Sequence, residues 1–129
     1  MSITPGIKGE KTRIVTADLT AKHMGSGGLD VYATPAMIAL MEGAAVTALE
    51  SSLSAGQSSV GIALDVKHLA ATPLGLTVRA EAEVTAVDGK RVTFAVRAWD
   101  NHELIGEGTH IRYIIDVARF MERVSAKSG

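Results

Sequence analysis

The sequence predicts an α+β fold in which an antiparallel sheet curls around one long central helix. Two observations predict it. The helical segment that opens at Thr34-Pro35 carries apolar residues on nearly every side, so it needs cover all round. Everything after Gly56 alternates with a period of two, the pattern of strands that each bury one face. A helix of this kind lying flat on an open sheet is the alternative, and it would leave the outer side of the helix bare unless a second copy covered it.

The elements follow in order. Arg13 to Asp18 reads as a short first strand and Leu19 to Met24 as a helical turn. Gly25-Ser26-Gly27-Gly28 then frees the backbone for a loop. Thr34 reads as a helix cap and Pro35 as the first helical residue, where its missing amide costs nothing. The helix is expected to run to about Leu53. In Val60 to Leu69, the residues Val60, Ile62, Leu64, Val66 and His68 are expected on the face turned to the core. Thr77 to Val87 sends Val78, Ala80, Ala82, Val84 and Ala86 inward, and Arg91 to Trp99 buries Val92, Phe94, Val96 and Ala98. Asp88-Gly89 between them is a hairpin signal. A last strand, Glu103 to Asp116, follows the turn at Asp100-Asn101, and Val117 to Lys127 closes the chain as a short helix.

Composition narrows the function classes. At 129 residues and 47% hydrophobic content the chain is expected to form one domain, 1–129. Thirteen basic residues against fourteen acidic ones give no strong positive field, so nucleic acid is not an expected partner. The absence of cysteine excludes disulfides, a thiolate nucleophile and thiolate-bound metal, and no metal or redox cofactor is expected. Met1 to Glu10 lacks the charge and apolar run of a secretory signal. The apolar stretch Ala33 to Leu49 contains Pro35 and Glu42, which suits a core helix better than a membrane span. The expectation is a cytoplasmic protein with no membrane partner.

Glu42 is the most informative residue. Its helical neighbours Ile38, Ala39, Ala45 and Val46 are all apolar, so a carboxylate projects from a face that otherwise belongs to the core. A solvated helix edge or a structural acid satisfies the pattern as well as a general base or nucleophile in a cleft does. His68 ends an apolar row and is expected on the same side of the sheet, within reach of the helix, where an imidazole can act as acid, base or donor. His23, His102 and His110 are weaker candidates. Thr34 on its own merits is a cap. It precedes Glu42 by about two turns, roughly 12 Å between backbones, so direct contact between them is not implied. Gly61, Gly106 and Gly108 interrupt strands, which points to bulges or to close approach of a ligand. Arg112 shares a face with Gly106, Gly108 and His110, and either meets an anionic substrate group or makes a surface ion pair.

The segment Thr34-Pro-Ala-Met-Ile-Ala-Leu-Met-Glu42-Gly-Ala-Ala resembles the hotdog-fold thioesterases close to fluoroacetyl-CoA thioesterase, as do Val66-Lys-His68-Leu-Ala-Ala-Thr-Pro-Leu-Gly75 and Ile105-Gly-Glu-Gly-Thr-His-Ile-Arg112. The resemblance spans nearly the whole chain, and it implies the hotdog fold and hydrolysis of an acyl-CoA to a carboxylic acid and free coenzyme A. It implies Glu42 as the carboxylate that attacks the thioester or activates water, Thr34 as the group that orients it, and His68 as the assistant at the carbonyl or leaving thiolate. Gly61 would lie beside the thioester and Arg112 near the acyl end. A homodimer paired edge to edge, with coenzyme A at its interface, is implied too, and a dimer of dimers is left open. Members selective for fluoroacetate carry bulky phenylalanines before the threonine, where this chain has Gly25, Gly27 and Gly28. A general acyl specificity is the expectation. An acyl-CoA binding module without catalysis, and an enoyl-CoA hydratase on the same scaffold, are the alternatives.

Overall fold

A computed structural model describes residues 2–128. The chain forms strand β1 (Lys8–Ile14), a 3-10 turn (Ala17–Leu19), helices α1 (Ala21–Met24) and α2 (Thr34–Leu49), strands β2 (Gln57–His68), β3 (Thr77–Asp88), β4 (Arg91–Trp99) and β5 (Leu104–Asp116), and helix α3 (Val117–Ser125). The five strands make one sheet in the order β1-β3-β4-β5-β2. Every neighbouring pair is antiparallel. The β3–β4 hairpin closes where the sequence predicts it: Asp88 faces Arg91, and Gly89 adopts a φ of +61°, which a side chain would resist.

The core lies between α2 and the concave side of the sheet. Ala36, Met37, Leu40, Met41, Ala44, Ala45, Ala48 and Leu49 of the helix are buried against Val78, Ala80, Ala82 and Val84 of β3 and Val92, Phe94, Val96 and Ala98 of β4. The many alanines let the backbones come close. The extreme case is Gly9 of β1, where a Cβ would run into the backbone of α2 at Ala44 and Ala48. Neither backbone can yield without breaking helix or sheet. Gly9→Ala is therefore expected to cost about 1–3 kcal/mol or more, read as a fall in Tm of roughly 4 °C or more in a thermal melt.

The helix is not covered all round in a single chain. Ala39, Val46 and Thr47 remain exposed on the side away from the sheet. The twelve-residue strand β2 also ends the sheet with an unpaired outer edge, and its Ile62 is 50% exposed. A long, free edge bearing apolar residues is a template for pairing with another chain.

Several boundaries differ from the expectation, each for a local reason. The first strand lies at Lys8–Ile14 rather than Arg13 to Asp18, because it pairs with β3 from Lys8 opposite Glu83 to Ile14 opposite Thr77. The helical turn divides in two at Thr20, whose hydroxyl caps α1 by accepting from the His23 amide. Helix α2 stops at Leu49, not near Leu53. The Glu50 amide turns back to the Thr47 carbonyl, tightening the last turn before Ser51-Ser52, residues that compete with the helix for backbone hydrogen bonds. Helix α3 ends at Ser125, two residues short of Lys127.

The largest correction concerns β2. A bulge between Gly61 and Ala63 shifts its register against β5. The extra residue reverses which side chains face the helix, so Val60 and Ile62 do not share a face with Leu64, Val66 and His68. Before the bulge Ser59 and Gly61 lie opposite Ile114 and Arg112, and after it Leu64, Val66 and His68 lie opposite His110, Gly108 and Gly106. A second bulge, between Val84 and Ala86, likewise turns Ala86 outward from the row that Val78 to Val84 maintain. Gly108 sits in regular register against both neighbouring strands, whereas Gly106 borders a third bulge, where the pairing slips from Ala98 opposite Gly106 to Trp99 opposite Leu104. Both glycines are small because Met37 of α2 closes on Gly106 and the β2 backbone at Asp65 and Val66 closes on Gly108.

Candidate active site

Two clusters of polar side chains stand along α2. The first is at its start. Thr34 is the first helical residue rather than the cap, a place taken by Ala33, and no side chain caps the helix. Its hydroxyl is free to reach across to β2, where Oγ1 lies 2.7 Å from Nδ1 of His68. The Nε2 atom of His68 is buried without a hydrogen-bond partner among the described residues. Beside this pair opens a cavity of about 310 Å³ lined by Ala21, Ser26, Val31, Tyr32, Thr34, His68, Leu69, Ala70 and Ala71. Burial pushes the Tyr32 phenol up to about 12, so it stays protonated and adds no charge to the wall.

The second cluster is two turns along. Glu42 is half-buried, and its Oε2 accepts a hydrogen bond of 3.1 Å from Nη1 of Arg112. Gly61 lies against the carboxylate: a Cβ there would stand 2.5 Å from Oε2. The bulge in β2 is what brings Gly61 to this side. Arg112 is 6% exposed, so it is no surface ion pair. Its Nε donates to the Ser59 hydroxyl, Nη2 to the Ser59 carbonyl, and Nη1 to both Glu42 and Nε2 of His110. Four of its five N–H groups are thus engaged within the protein. Oε1 of Glu42 has no hydrogen-bond partner among the described residues, which leaves one carboxylate oxygen fixed and the other available.

The structure therefore brings Thr34 to His68 and brings Glu42, Gly61 and Arg112 together, while no direct contact joins Glu42 to His68. A substrate would have to lie between the two clusters. Ser59 and His110 belong to the second cluster; the sequence does not single out Ser59 and offers His110 only as a weaker candidate. The β2 bulge conceals Ser59, since simple alternation puts it on the outer face. His110 had a usable signal, the side it shares with Arg112 along β5.

The half-buried His68 and the buried His110 both titrate below the ordinary histidine value of 6.5. For His68 the cause is burial, partly opposed by the Ala70 backbone. For His110 it is burial first, opposed by the Ala63 carbonyl, reinforced by Arg112 and countered by Glu42. The unfolded chain then holds more protons than the folded one in the window from 6.5 down to these depressed values. Stability falls as the pH drops through that window. Thermal melts from about pH 7 to about pH 5 are expected to show Tm declining, with the decline reduced when His68 is replaced by glutamine.

Among the described residues no cluster of three or more His, Cys, Asp or Glu side chains is placed to hold a metal ion. No helix there is long and apolar enough to cross a membrane.

Residues 15–118 match the family described as fluoroacetyl-CoA-specific thioesterase, FlK. The chain belongs to that family. The fluoroacetyl-CoA thioesterase of Streptantibioticus cattleyicolor is 43% identical over 99 residues, 77% of this chain and 71% of the relative. A threonine-to-serine variant of FlK, solved in complex with acetyl-CoA, superposes with a TM-score of 0.93 at 34% identity over 98% of this chain and all of that one. A thioesterase superfamily member from Thermus thermophilus superposes at 0.88 with 27% identity, covering 98% and 96% of the two chains. These likenesses make the curled sheet around α2 a hotdog fold, and membership of the FlK family makes the protein a thioester hydrolase.

Proposed function

We propose that this thioester hydrolase cleaves acyl-CoA to a carboxylic acid and free coenzyme A, with Glu42, Thr34 and His68 as its reacting set. The observation that carries the reading is the carboxylate of Glu42: half-buried on an apolar helix, held through one oxygen by Arg112, with the other oxygen unpaired. As a base, Oε1 takes a proton from water while the hydroxide attacks the thioester carbon. As a nucleophile, it attacks that carbon itself, and water then cleaves the resulting anhydride. In either course the C–S bond breaks and the leaving thiolate takes a proton.

The Thr34–His68 pair supplies the complementary end. With the Thr34 hydroxyl donating to Nδ1, the neutral ring carries its hydrogen on Nε2, a donor with no protein acceptor. A carbonyl oxygen becoming an oxyanion, or the departing thiolate, would satisfy it. The cavity beside the pair would receive part of the substrate, and its glycine-bearing neighbour, Gly25 to Gly28, sets no bulky gate before it. A broad acyl range follows from that.

The free edge of β2 and the bare side of α2 support a homodimer joined through β2, with acyl-CoA held near the joint. A cytoplasmic protein that works without a metal or redox cofactor completes the proposal. Thiol release measured across short, long and aromatic acyl-CoAs tests the activity. Turnover of several of these, and a dimer by light scattering, is the expected result. Saturable binding without thiol release, or loss of enoyl absorbance without it, would overturn the proposal.

A further inference from the structure

We infer that His110 is a positioning residue, whose Nδ1-protonated, neutral imidazole holds Arg112 and through it Glu42. The inference rests on the reading of Glu42 as the reacting carboxylate. His110 lies on β5 with no exposed surface, and each of its ring nitrogens has a partner of fixed polarity. Nδ1 is 2.9 Å from the carbonyl oxygen of Ala63, which can only accept, so Nδ1 carries a hydrogen. Nε2 is 3.1 Å from Nη1 of Arg112, which can only donate, so Nε2 presents its lone pair. The two contacts demand the same tautomer.

The position joins three features. Ala63 closes the bulge that turns Gly61 toward the helix, so the Nδ1–H bond ties the ring to that irregularity. Nη1 of Arg112 has two hydrogens, one for Oε2 of Glu42 and one for Nε2 of His110, and the ring thereby fixes the direction in which the guanidinium meets the carboxylate. Phe94 of β4 stacks beside the ring at 6.1 Å between centroids and lines one side of it. The charged groups facing His110 are Arg112 of its own strand and Glu42 of α2, the latter 3.9 Å away from Nε2. A second proton on Nε2 would point at the Arg112 donors and break this arrangement. Burial, with Arg112 alongside, disfavours that proton.

The test separates the two nitrogens. Asparagine at this position can replace the Nδ1 donor but not the Nε2 acceptor, whereas glutamine extends far enough to replace the acceptor. With both variants folded by circular dichroism, His110→Asn is expected to lower kcat for acyl-CoA hydrolysis on the order of 10- to 100-fold with little change in KM, and His110→Gln to recover most of that loss. Nitrogen-15 NMR of the unaltered protein near neutral pH should show His110 as the Nδ1–H tautomer. An Nε2–H tautomer or an imidazolium there overturns the inference, as does full kcat in a folded His110→Asn variant. If the unaltered protein shows the expected tautomer but releases no thiol, the chemistry assigned to Glu42 fails and the geometry at His110 stands.

Discussion

Glu42→Gln is expected to lower kcat by about 10²- to 10⁴-fold, the usual worth of a positioned base, and by more if Glu42 is the nucleophile. Glutamine keeps the length and shape of the side chain and can still accept from Arg112 through its amide oxygen, so the second cluster remains assembled. What it loses is the negative charge and basicity at the free oxygen. Alanine at the same position removes both and leaves the buried Arg112 guanidinium without its carboxylate, so its effect mixes chemistry with stability. Thiol-release kinetics on the glutamine variant, beside an unchanged far-ultraviolet spectrum, are the decisive measurement. A kcat within a few-fold of the original would remove Glu42 from the reaction.

Gly61→Ala is expected to have the second largest effect, on the order of 100-fold in kcat/KM. The added methyl would stand 2.5 Å from Oε2 of Glu42, 3.1 Å from Cε1 of His110 and 3.3 Å from Nη1 of Arg112. The carboxylate is the flexible partner and gives way first. Because the displaced atom is the one that Arg112 holds, the ion pair lengthens and the free oxygen moves with it. The strand is at the sheet edge, and Gly61 has no positive φ, so the backbone accepts alanine without strain. A variant with near-normal Tm and strongly reduced turnover is the expected outcome. Equal losses in stability and activity would mean that the methyl disturbs the fold and not the carboxylate alone.

Much of this arrangement was legible beforehand. The central helix and the inward row of β4 follow from periodicity alone, since Val92, Phe94, Val96 and Ala98 are all buried as alternation requires. The hairpin at Asp88-Gly89 is local chemistry, and local chemistry reads well. The pattern alone picks out Glu42, His68, Thr34, Gly61 and Arg112 and leaves their roles open; the family resemblance is what implies a role for each. What failed was anything that depends on a register slip. Gly61 marks a possible bulge in β2, but the slip itself is set by pairing with β5, so simple alternation hides Ser59 and puts Ile62 on the wrong face. The capping reading of Thr34 fails for a different reason: capping is a local preference, and the Thr34 hydroxyl instead meets His68, thirty-four residues away on another element.

The bulge at Ile62 also changes what a shift of reading length means for this strand. Removing that one residue would not simply shorten a ribbon. With a side-chain period of two, the whole run from Gln57 to Gly61 would exchange its wet and dry sides, taking the serine away from the guanidinium and the bare glycine away from the acid. Loss of a single codon here would therefore dismantle the second cluster, whereas a substitution leaves the register as it is.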